Sequence, residues 1–387
     1  MEIGKFTPDM PGQLLPIPGS EHAFVPAPLP PNWEFPNRLW PLVAEAKRLI
    51  GVLEGIGRVL PNPAILLRTT EDREAIQSSA LEGTYATPKE LLIFELEPSN
   101  AETESDKANR FREVYNYRRA IQHATNSELP ISLRLIRELH QLLLSGVRGH
   151  QKDPGVFRTG QVAIGSQRRF IPPPPHIVPG CLDALEKYIH TPSQFDPLVD
   201  CFLVHYQFET IHPFSDGNGR IGRLLLALML QRNCQMSKPW VYLSDYLERH
   251  RNEYINGLFE ISTKAAWEQW VEFCLRATIT QTAATISRCE RLLKIRERFQ
   301  TQLSSTGGNV RLHTIVEQVF AYPFVRVTDV AKRLDVTYPT AKADLEKLVG
   351  VGILQLLDKA TPITYYAPEV FSVAYEDISD NTDSASE

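Results

Sequence analysis

The residues best suited to chemistry lie together at 212–223, HPFSDGNGRIGR, between two apolar segments predicted as helices. Gly217 and Gly219 allow backbone conformations that expose successive N–H groups, and a helix beginning near Gly219 directs its positive end to the same place. Such a loop predicts an anion site that suits phosphate. Arg220 and Arg223 lie three residues apart on one helical face, where both can hold phosphate oxygens, which indicates a polyphosphate.

The same segment contains a candidate metal ligand and a candidate base. Asp216 offers a hard carboxylate oxygen, which suits a magnesium ion shared with the phosphates. The ordinary pKa of an imidazole is about 6.5, so His212 is available in its neutral form at pH 7 to accept a proton from an attacking hydroxyl. Pro213 and Phe214 are interpreted as anchors of the loop. The alternative is a plain glycine-rich connection, with His212 as a cap and solvated arginines.

These residues resemble the Fic motif of protein adenylyltransferases, HPFx[D/E]GNGRxxR, and every specified position is filled. The resemblance implies transfer of AMP from ATP to Ser, Thr or Tyr hydroxyls of target proteins, and of the enzyme itself, with release of diphosphate. It also implies that His212 is the catalytic base and that Asp216 holds Mg²⁺. The nucleotide-binding residues that it implies are Gly217, Asn218, Gly219, Arg220, Ile221, Gly222 and Arg223.

A second motif, SSALEG at residues 78–83, matches the inhibitory pattern [S/T]xxxE[G/N] of this family. Its place before the core resembles the group of Fic proteins with an amino-terminal inhibitory helix. The Glu82 carboxylate can pair with Arg223, which then no longer holds the outer phosphate, and its charge repels the nucleotide. The resemblance therefore implies autoinhibition, with Ser78 and Glu82 as gating residues. Alternatively, these two residues at i and i+4 belong to a solvated helix face.

A predicted flap follows at residues 155–175. Apolar and small residues alternate there between glycines and end in four prolines, which predicts a short hairpin that runs into an extended segment. This hairpin is similar to the Fic flap, whose exposed edge can pair with an extended target segment and align its hydroxyl. A purely structural edge ribbon is the alternative. The residues predicted to dock the target are Val162, Ala163, Ile164 and Gly165.

The segment after the motif resembles the family's helix that flanks the adenine base. Within this segment we predict Tyr254 and Arg249 as nucleotide-binding residues. Core packing explains the neighbouring Tyr242, Leu243 and Leu247 equally well, because aromatic and leucine side chains are commonly buried.

Together with this resemblance, the apolar spacing predicts a mainly α protein: a Fic helical core with a β-hairpin flap, plus a C-terminal winged helix-turn-helix. Helical periodicity is present over residues 40–60, 70–81, 105–125, 132–144, 182–189, 198–210, 220–232 and 280–302. After a break at 304–308, the winged unit is predicted from helices at 312–322, 327–334 and 338–350 and a ribbon at 353–357 and 363–366.

Six regions follow from this pattern. Ten of the 29 prolines lie before residue 42, which predicts an extended arm rather than regular helix or central strand. The predicted regions are the Pro-rich arm (1–40), a helical region with the inhibitory helix (41–105), the Fic catalytic domain (106–278), a helical linker (279–308), the winged-helix domain (309–372) and an acidic disordered tail (373–387).

Composition excludes several classes of protein. The 387 residues carry 41 Lys and Arg against 46 Asp and Glu, so a net charge of −5 provides no general basic field for nucleic acid or an anionic membrane. The longest apolar run, 224–230, is too short to span a bilayer. Five cysteines without a CxxC pair predict neither a disulfide framework nor a zinc site. These features predict a cytoplasmic protein without membrane association.

The partner of the C-terminal unit is left open. Residues 309–370 carry seven basic and seven acidic side chains, with Asp344 and Glu346 in the predicted recognition helix. DNA binding requires phosphate neutralisation, so docking of a protein or dimerisation is an equally good hypothesis. The family resemblance also implies homodimers.

Three alternative functions stay open beside AMP transfer to proteins. The first is transfer of another phosphate-containing group, such as UMP or phosphocholine. The second is removal of AMP by a water molecule that Glu82 positions. The third is a transcription regulator that senses nucleotides on a Fic scaffold, which requires salt-dependent DNA binding.

Overall fold

The computed structural model describes residues 1–19, 21–60, 62–96, 107–147, 153–305, 309–357 and 362–378. The predicted mainly α fold is confirmed. The helices are α1 (Trp40–Val59), α2 (Ala64–Leu81), α3 (Pro88–Leu96), α4 (Lys107–Asn126), α5 (Leu133–Leu143), α6 (Val178–Ile189), α7 (Pro197–Ile211), α8 (Asn218–Asn233), α9 (Ser244–Arg249), α10 (Arg251–Lys264), α11 (Trp267–Ser305), α12 (Val310–Val319), α13 (Val327–Leu334), α14 (Tyr338–Gly350) and α15 (Pro368–Tyr375). The strands are β1 (Gly12–Ile17), β2 (Glu21–Pro26), β3 (Phe324–Arg326), β4 (Gln355–Leu356) and β5 (Thr364–Tyr366).

Helices α7 and α8 form the centre of the main core. Their side chains are buried on nearly every face, including Phe202 and Phe208 of α7 and Leu225 of α8. Asp196 caps the start of α7 by accepting a hydrogen bond from Leu198 N–H at 3.0 Å. Because both helices are fixed by packing, the short loop between them, which holds the motif, has fixed ends.

The N-terminal arm contains a hairpin that the prolines did not predict. Strands β1 and β2 pair antiparallel, from Gly12 opposite Pro26 to Ile17 opposite Glu21. Phe24 of β2 is fully buried, and its N–H donates to Ile171 O at 2.9 Å, which joins the hairpin to the flap region. Proline is compatible with this hairpin because a two-stranded ribbon consists only of edge strands.

Helix α2 begins six residues earlier than predicted and is buried along most of its length despite its charges. Inside the protein, Arg118 donates to Asp72 at 3.3 Å and to Glu95 at 2.6 Å, and Arg68 donates to Asp72 at 3.3 Å. These buried ion pairs replace the usual apolar stripe, so the start of the helix carries little hydrophobic periodicity. The sequence analysis did not predict helix α3, which follows α2 and carries Glu95.

The C-terminal unit has the predicted helices α12, α13 and α14 and the predicted ribbon, in the predicted order. A third strand, β3, was missed, and the sheet order is β3-β5-β4. Asp344 of α14 is buried and accepts a hydrogen bond from Arg311 at 2.7 Å, so it is not an acid on the exposed face of that helix. The assignment of this unit as a winged helix stays a prediction.

Two predicted boundaries differ from the structure. Residues 279–305 are the second part of α11 rather than a separate linker, and 306–308 lie outside the described residues. The predicted disorder of 373–387 is wrong for residues 373–378, since α15 continues to Tyr375 and the side chains of Tyr375 and Ile378 are each 2% exposed. Residues 379–387 lie outside the described part of the chain. Within the described ranges, no helix is long and apolar enough to cross a membrane.

Candidate active site

The motif loop turns sharply where α7 ends. His212 caps α7 in the left-handed region, at φ +51°. Arg158 braces this turn from outside, because its Nε donates to His212 O at 2.8 Å and its backbone N–H donates to Pro213 O at 2.9 Å. The sequence analysis assigned no separate role to Arg158, although this residue lies within the predicted flap segment 155–175.

Asn218 closes the loop from within rather than facing a ligand. Its Oδ1 accepts from Phe214 N–H at 2.8 Å, and its Nδ2 donates to Phe214 O at 2.8 Å. The Phe214 ring is fully buried and stacks on His140 at a centroid distance of 3.7 Å. The prediction that the Asn218 side chain binds the nucleotide is therefore corrected, because this side chain bonds the Phe214 backbone. The backbone N–H of Asn218 is the group that can still bind a phosphate.

His140 ties the loop to α5 in its neutral form. Its Nδ1 accepts from Gly155 N–H at 2.8 Å, so Nε2 carries the proton and donates to Asp216 O at 3.0 Å. Burial lowers the pKa of His140 to about 4, which keeps the ring neutral at pH 7. No sequence signal pointed to this residue, because its partners are distant in the chain.

We expect Asn218→Ala to lower the free energy of unfolding by about 2 kcal/mol or more, because two buried hydrogen bonds are lost and the Phe214 backbone is left unpaired. Denaturant unfolding measures this change. Asn233→Ala is the matched control, since Asn233 makes an exposed hydrogen bond to Pro197 O at 3.0 Å and its loss is expected to cost less than about 1 kcal/mol. Equal losses for the two variants would contradict the assigned role of Asn218.

The start of α8 has the backbone geometry expected for the predicted anion site. Gly217 precedes the helix at φ +76°, and the first N–H groups of α8 have no acceptor within the helix. These N–H groups and the helix dipole favour a phosphate at this point. Ile221 and Gly222, which were also predicted to bind the nucleotide, are turned away: Ile221 is 1% exposed in the core, and Gly222 faces α7.

Asp216 and Arg220 flank the same site. The Asp216 side chain is 37% exposed, its Oδ1 accepts from Gly217 N–H at 2.7 Å, and it lies 4.0 Å from Arg220 Nη2. Arg220 is buried and donates to Glu113 at 3.3 Å, which orients its guanidinium. The described residues contain no cluster of three metal-binding side chains. A Mg²⁺ ion at Asp216 thus fits only with phosphate and water oxygens as its other ligands, which is its usual coordination beside nucleotides.

Glu82 and Ser78 meet Arg223 as the inhibitory motif predicts. Arg223 donates to Ser78 Oγ and Ser78 O, each at 2.8 Å, and to Glu82 Oε1 at 2.8 Å. A Cβ on Gly219 would lie 2.1 Å from Glu82 Oε1, so the carboxylate rests directly on the start of α8. Burial alone would raise the pKa of Glu82, but Arg223 and Arg220 outweigh it and lower that pKa below its ordinary value.

The His212 ring is neutral and keeps one unprotonated nitrogen. Its Nδ1 faces Glu209 O at 3.3 Å, so this nitrogen carries the proton and Nε2 keeps its lone pair. Burial lowers the pKa of His212 to about 4, although the Glu209 carbonyl and the Glu82 charge oppose that effect. The ring is therefore neutral at pH 7 and can accept a proton.

Four of the residues described above, Glu82, His212, Gly219 and Arg223, line one cavity of about 310 Å³, a volume within the usual range for small-molecule sites. Tyr254 lines it and is held by a 2.9 Å hydrogen bond to His205. The predicted Arg249 does not line it, because its side chain pairs with Asp245 at 3.1 Å. Sequence reasoning missed Arg251, which lines the cavity and donates to Leu81 O at 3.1 Å. The polar part of the lining includes Glu82, Glu209, His212 and Arg223, and the apolar part includes Ile164, Phe170, Ile255, Leu258 and Phe259.

The predicted flap hairpin is reduced to a single antiparallel bridge between Ile164 and Phe170. Their two backbone hydrogen bonds measure 2.8 and 3.1 Å, and Gly165 turns the chain at φ +78°. Regular strands were wrong here because Gln167 and Arg168, which lie between the bridge residues, also have positive φ, at +54° and +55°, and a left-handed backbone does not continue a β-ladder. Ile164 and Gly165 line the cavity, whereas Val162 and Ala163 are half-buried beside it.

Two family models match the chain: the Fic/DOC family over residues 130–230, and the Fic/DOC family N-terminal region over residues 40–126. The chain is thus similar to the Fic/DOC family over these two ranges. The first match contains the motif loop, and the second contains Ser78 and Glu82 on α2.

Curated relatives of this chain are named protein adenylyltransferases. A probable protein adenylyltransferase of Aquifex aeolicus is 31% identical over 149 residues, which is 38% of this chain and 42% of the relative. Protein adenylyltransferase Fic of Aedes aegypti is 31% identical over 153 residues, which is 38% of this chain and 28% of the relative. The chain thus spans less than half the length of these relatives.

Solved Fic structures share the fold. A Fic family protein from Desulfovibrio desulfuricans has a TM-score of 0.57 at 20% identity, over 88% of this chain and 98% of that one. Fic-1 from C. elegans has a TM-score of 0.50 at 22% identity, over 65% of this chain and 76% of that one. At these identities the likeness establishes the fold alone.

Proposed function

We propose that this protein is a protein adenylyltransferase that transfers AMP from ATP to Ser, Thr or Tyr hydroxyls. The observation that carries this function is the shared cavity in which a neutral His212, with a free Nε2 lone pair, lies beside the anion site at the start of α8. A base and a phosphate site in one cavity are what attack of a hydroxyl on a phosphate requires.

In the proposed reaction the target hydroxyl oxygen forms a bond to the α-phosphorus of ATP, and the bond from that phosphorus to the diphosphate oxygen breaks. The hydroxyl proton passes to His212 Nε2. Arg220, Arg223 and the first N–H groups of α8 bind the phosphate oxygens as charge moves to the leaving diphosphate. A Mg²⁺ ion held by Asp216 would supply further positive charge for that leaving group.

The same cavity supports autoinhibition. Arg223 is occupied by Glu82 at 2.8 Å, and the carboxylate lies against Gly219, where a phosphate would bind. Bound ATP would meet a negative charge in place of a free guanidinium, so its outer phosphates would take another position. Self-modification, a homodimer and a cytoplasmic location are further parts of this proposal, and the C-terminal unit is proposed to dock either protein or DNA.

Labelling with α-³²P-ATP and Mg²⁺ tests the function directly. We expect label to appear on the purified protein and on proteins of a cell lysate, and γ-³²P-ATP to leave no label, because the outer phosphates depart as diphosphate. Label from γ-³²P-ATP alone would indicate kinase chemistry and overturn the proposal.

Removal of AMP is a second candidate, since Glu82 shares the cavity with His212 and could hold a water molecule. Release of label from a previously modified protein identifies that activity.

Chelation of Mg²⁺ by EDTA is expected to lower the rate of AMP transfer about 100-fold or more. The reason is that the leaving diphosphate then loses a positive charge that stabilises it by several kcal/mol. Asp216→Asn should have a similar effect that excess Mg²⁺ partly restores. Labelling rates at several Mg²⁺ concentrations measure both changes. Unchanged transfer in EDTA would show that Asp216 holds no catalytic metal.

A further inference from the structure

Glu209 is a half-buried residue in the candidate active site, and the proposed transfer does not use its carboxyl group. It lies on α7 one turn before His212, and its side chain lines the same cavity. In the described part of the chain, its Oε1 is shielded from solvent and has no hydrogen-bond partner. Native proteins rarely leave a buried carboxyl oxygen without a donor, because desolvation then stays uncompensated.

Gly222 leaves space for this carboxyl group. A Cβ on Gly222 would lie 2.1 Å from Glu209 Oε1, so the glycine makes room for the carboxyl at this position. Burial raises the pKa of Glu209 to about 7, against the lowering effect of Arg223 and with a raising effect of Glu82. Strongly perturbed carboxyl groups in a cavity are typical of functional sites.

A nucleotide bound in the cavity would bring hydrogen-bond donors to the Glu209 side chain, which lines it. A nucleoside attached to a phosphate at His212 has to occupy the remaining cavity, where Ile164, Phe170 and Phe259 offer apolar surface. The hydrogen-bond donors of adenosine are its sugar hydroxyls and its base amine. We propose, on the basis of the proposed function, that Glu209 accepts a hydrogen bond from the nucleoside part of ATP and so helps to select the donor nucleotide.

Calorimetric binding of nucleotides tests this role without turnover, in a His212→Ala, Glu82→Gly background. We expect Glu209→Ala to weaken ATP binding about tenfold, the usual effect of one hydrogen bond to a charged group. The exposed Glu260, which pairs with Lys264 at 3.3 Å, provides the matched control Glu260→Ala, which should leave affinity unchanged.

Analogues identify the donor. One of the analogues 2′-deoxy-ATP, 3′-deoxy-ATP and inosine triphosphate should bind the background protein about tenfold more weakly than ATP. In the Glu209→Ala variant, that analogue and ATP should bind with equal affinity, because the hydrogen bond is absent for both. Equal affinities for all four nucleotides in the background protein would overturn the role of Glu209. Failure of ATP to bind at all would instead overturn the proposed function.

A second inference rests on a different contact, between α2 and residues 368–378, which we call the C-terminal strap. Tyr375 Oη donates to Asp72 Oδ2 at 2.7 Å, and Arg73 donates to Glu376 O at 2.9 Å. Ile378 at the end of the strap is 2% exposed in the main core. The strap therefore packs on the helix that carries Glu82.

Helix α2 depends on such partners for its position, because many of its inward side chains are charged. Arg73 also donates to Asp245 of α9 at 2.9 Å, so the strap and the catalytic core hold the same guanidinium. From Asp72 to Glu82 the helix spans about 15 Å at ~1.5 Å per residue, and continuous backbone hydrogen bonds connect these two residues along α2. A shift of the strap contacts would therefore displace Glu82 from Arg223.

We infer, on the basis of the proposed autoinhibition, that the strap holds α2 in its inhibitory position and that release of the strap activates transfer. In full-length protein, Ile378→Asp places a charge in the core and should detach the strap. Tyr375→Phe is the milder variant, which removes only the hydroxyl that binds Asp72.

Epistasis with Glu82→Gly distinguishes this device from general damage. We expect Ile378→Asp and Tyr375→Phe to raise the rate of AMP labelling about fivefold or more when introduced into wild type. The same substitutions should leave the labelling rate of Glu82→Gly unchanged. Glu369→Gln is the control, because its partner Arg298 lies on α11 and the pair is exposed.

Hydrogen exchange supplies a readout that does not depend on activity. The strap variants should speed exchange in α2, whereas Glu369→Gln should not. Faster exchange without faster labelling in wild type would overturn the inference. Absence of labelling even in Glu82→Gly would instead overturn the proposed function.

Discussion

His212→Asn is expected to lower AMP transfer at least 100-fold, because the base that receives the hydroxyl proton is lost, and general bases typically contribute about 10²–10⁴ in rate. Asparagine is preferred to alanine at this position, since the residue has a φ of +51° and asparagine tolerates the left-handed region. Labelling rates with α-³²P-ATP measure the effect, with His212→Ala as a second variant.

Nucleotide binding separates loss of chemistry from loss of structure. The anion site of α8 does not include the His212 ring, so the affinity for ATP and the melting temperature of His212→Asn should stay near those of the wild type. The control is His250→Asn, because His250 lies at the end of α9 and bonds Tyr246 O at 2.9 Å. Full activity in the His212 variants would rule out this residue as the base.

Glu82→Gly is expected to raise AMP transfer about tenfold or more, because it frees Arg223 to bind the outer phosphate and removes a negative charge from the site. One hydrogen-bonded charge pair amounts to roughly 1.5–3 kcal/mol, which corresponds to about a 10- to 100-fold change in an equilibrium. The labelling rate of the purified variant and its affinity for ATP measure the two parts of this effect.

Glu82→Gln provides the matched comparison, since its amide keeps a hydrogen-bond acceptor for Arg223 but carries no charge. Its labelling rate should fall between those of wild type and Glu82→Gly. If Glu82→Gly labelled no faster than wild type, the pairing with Arg223 would be purely structural.

Acid is not expected to relieve this inhibition near neutrality. Arg223 and Arg220 hold the pKa of Glu82 below its ordinary value of 4.5, although burial alone would raise it. A lowered pKa means that the pair is fully formed above the unfolded value and is lost only as pH falls through the lowered one. The Glu82→Gly variant should therefore label faster than wild type at every pH from 6 to 8.

Local sequence determined the parts of this protein whose signals lie close together in the chain. The spacing of residues 212–223 is enough to predict a phosphate loop between two helices, because glycines, a helix start and arginines one turn apart act over a few residues. The periodicity of α1, α13 and α14 likewise predicts their bounds within about one residue, since their apolar faces repeat regularly.

Tertiary structure decided the roles that depend on distant partners. Asn218, predicted to bind the nucleotide, bonds Phe214 instead, and Arg249 bonds Asp245 rather than lining the cavity. The burial of α2 and the order of the tail depend on pairs such as Tyr375 with Asp72, about 300 positions apart. The hydrogen-bond partner of a side chain depends on which groups folding brings close to it. Residues that are distant in the sequence supply many of these groups, so a local sequence pattern does not predict them.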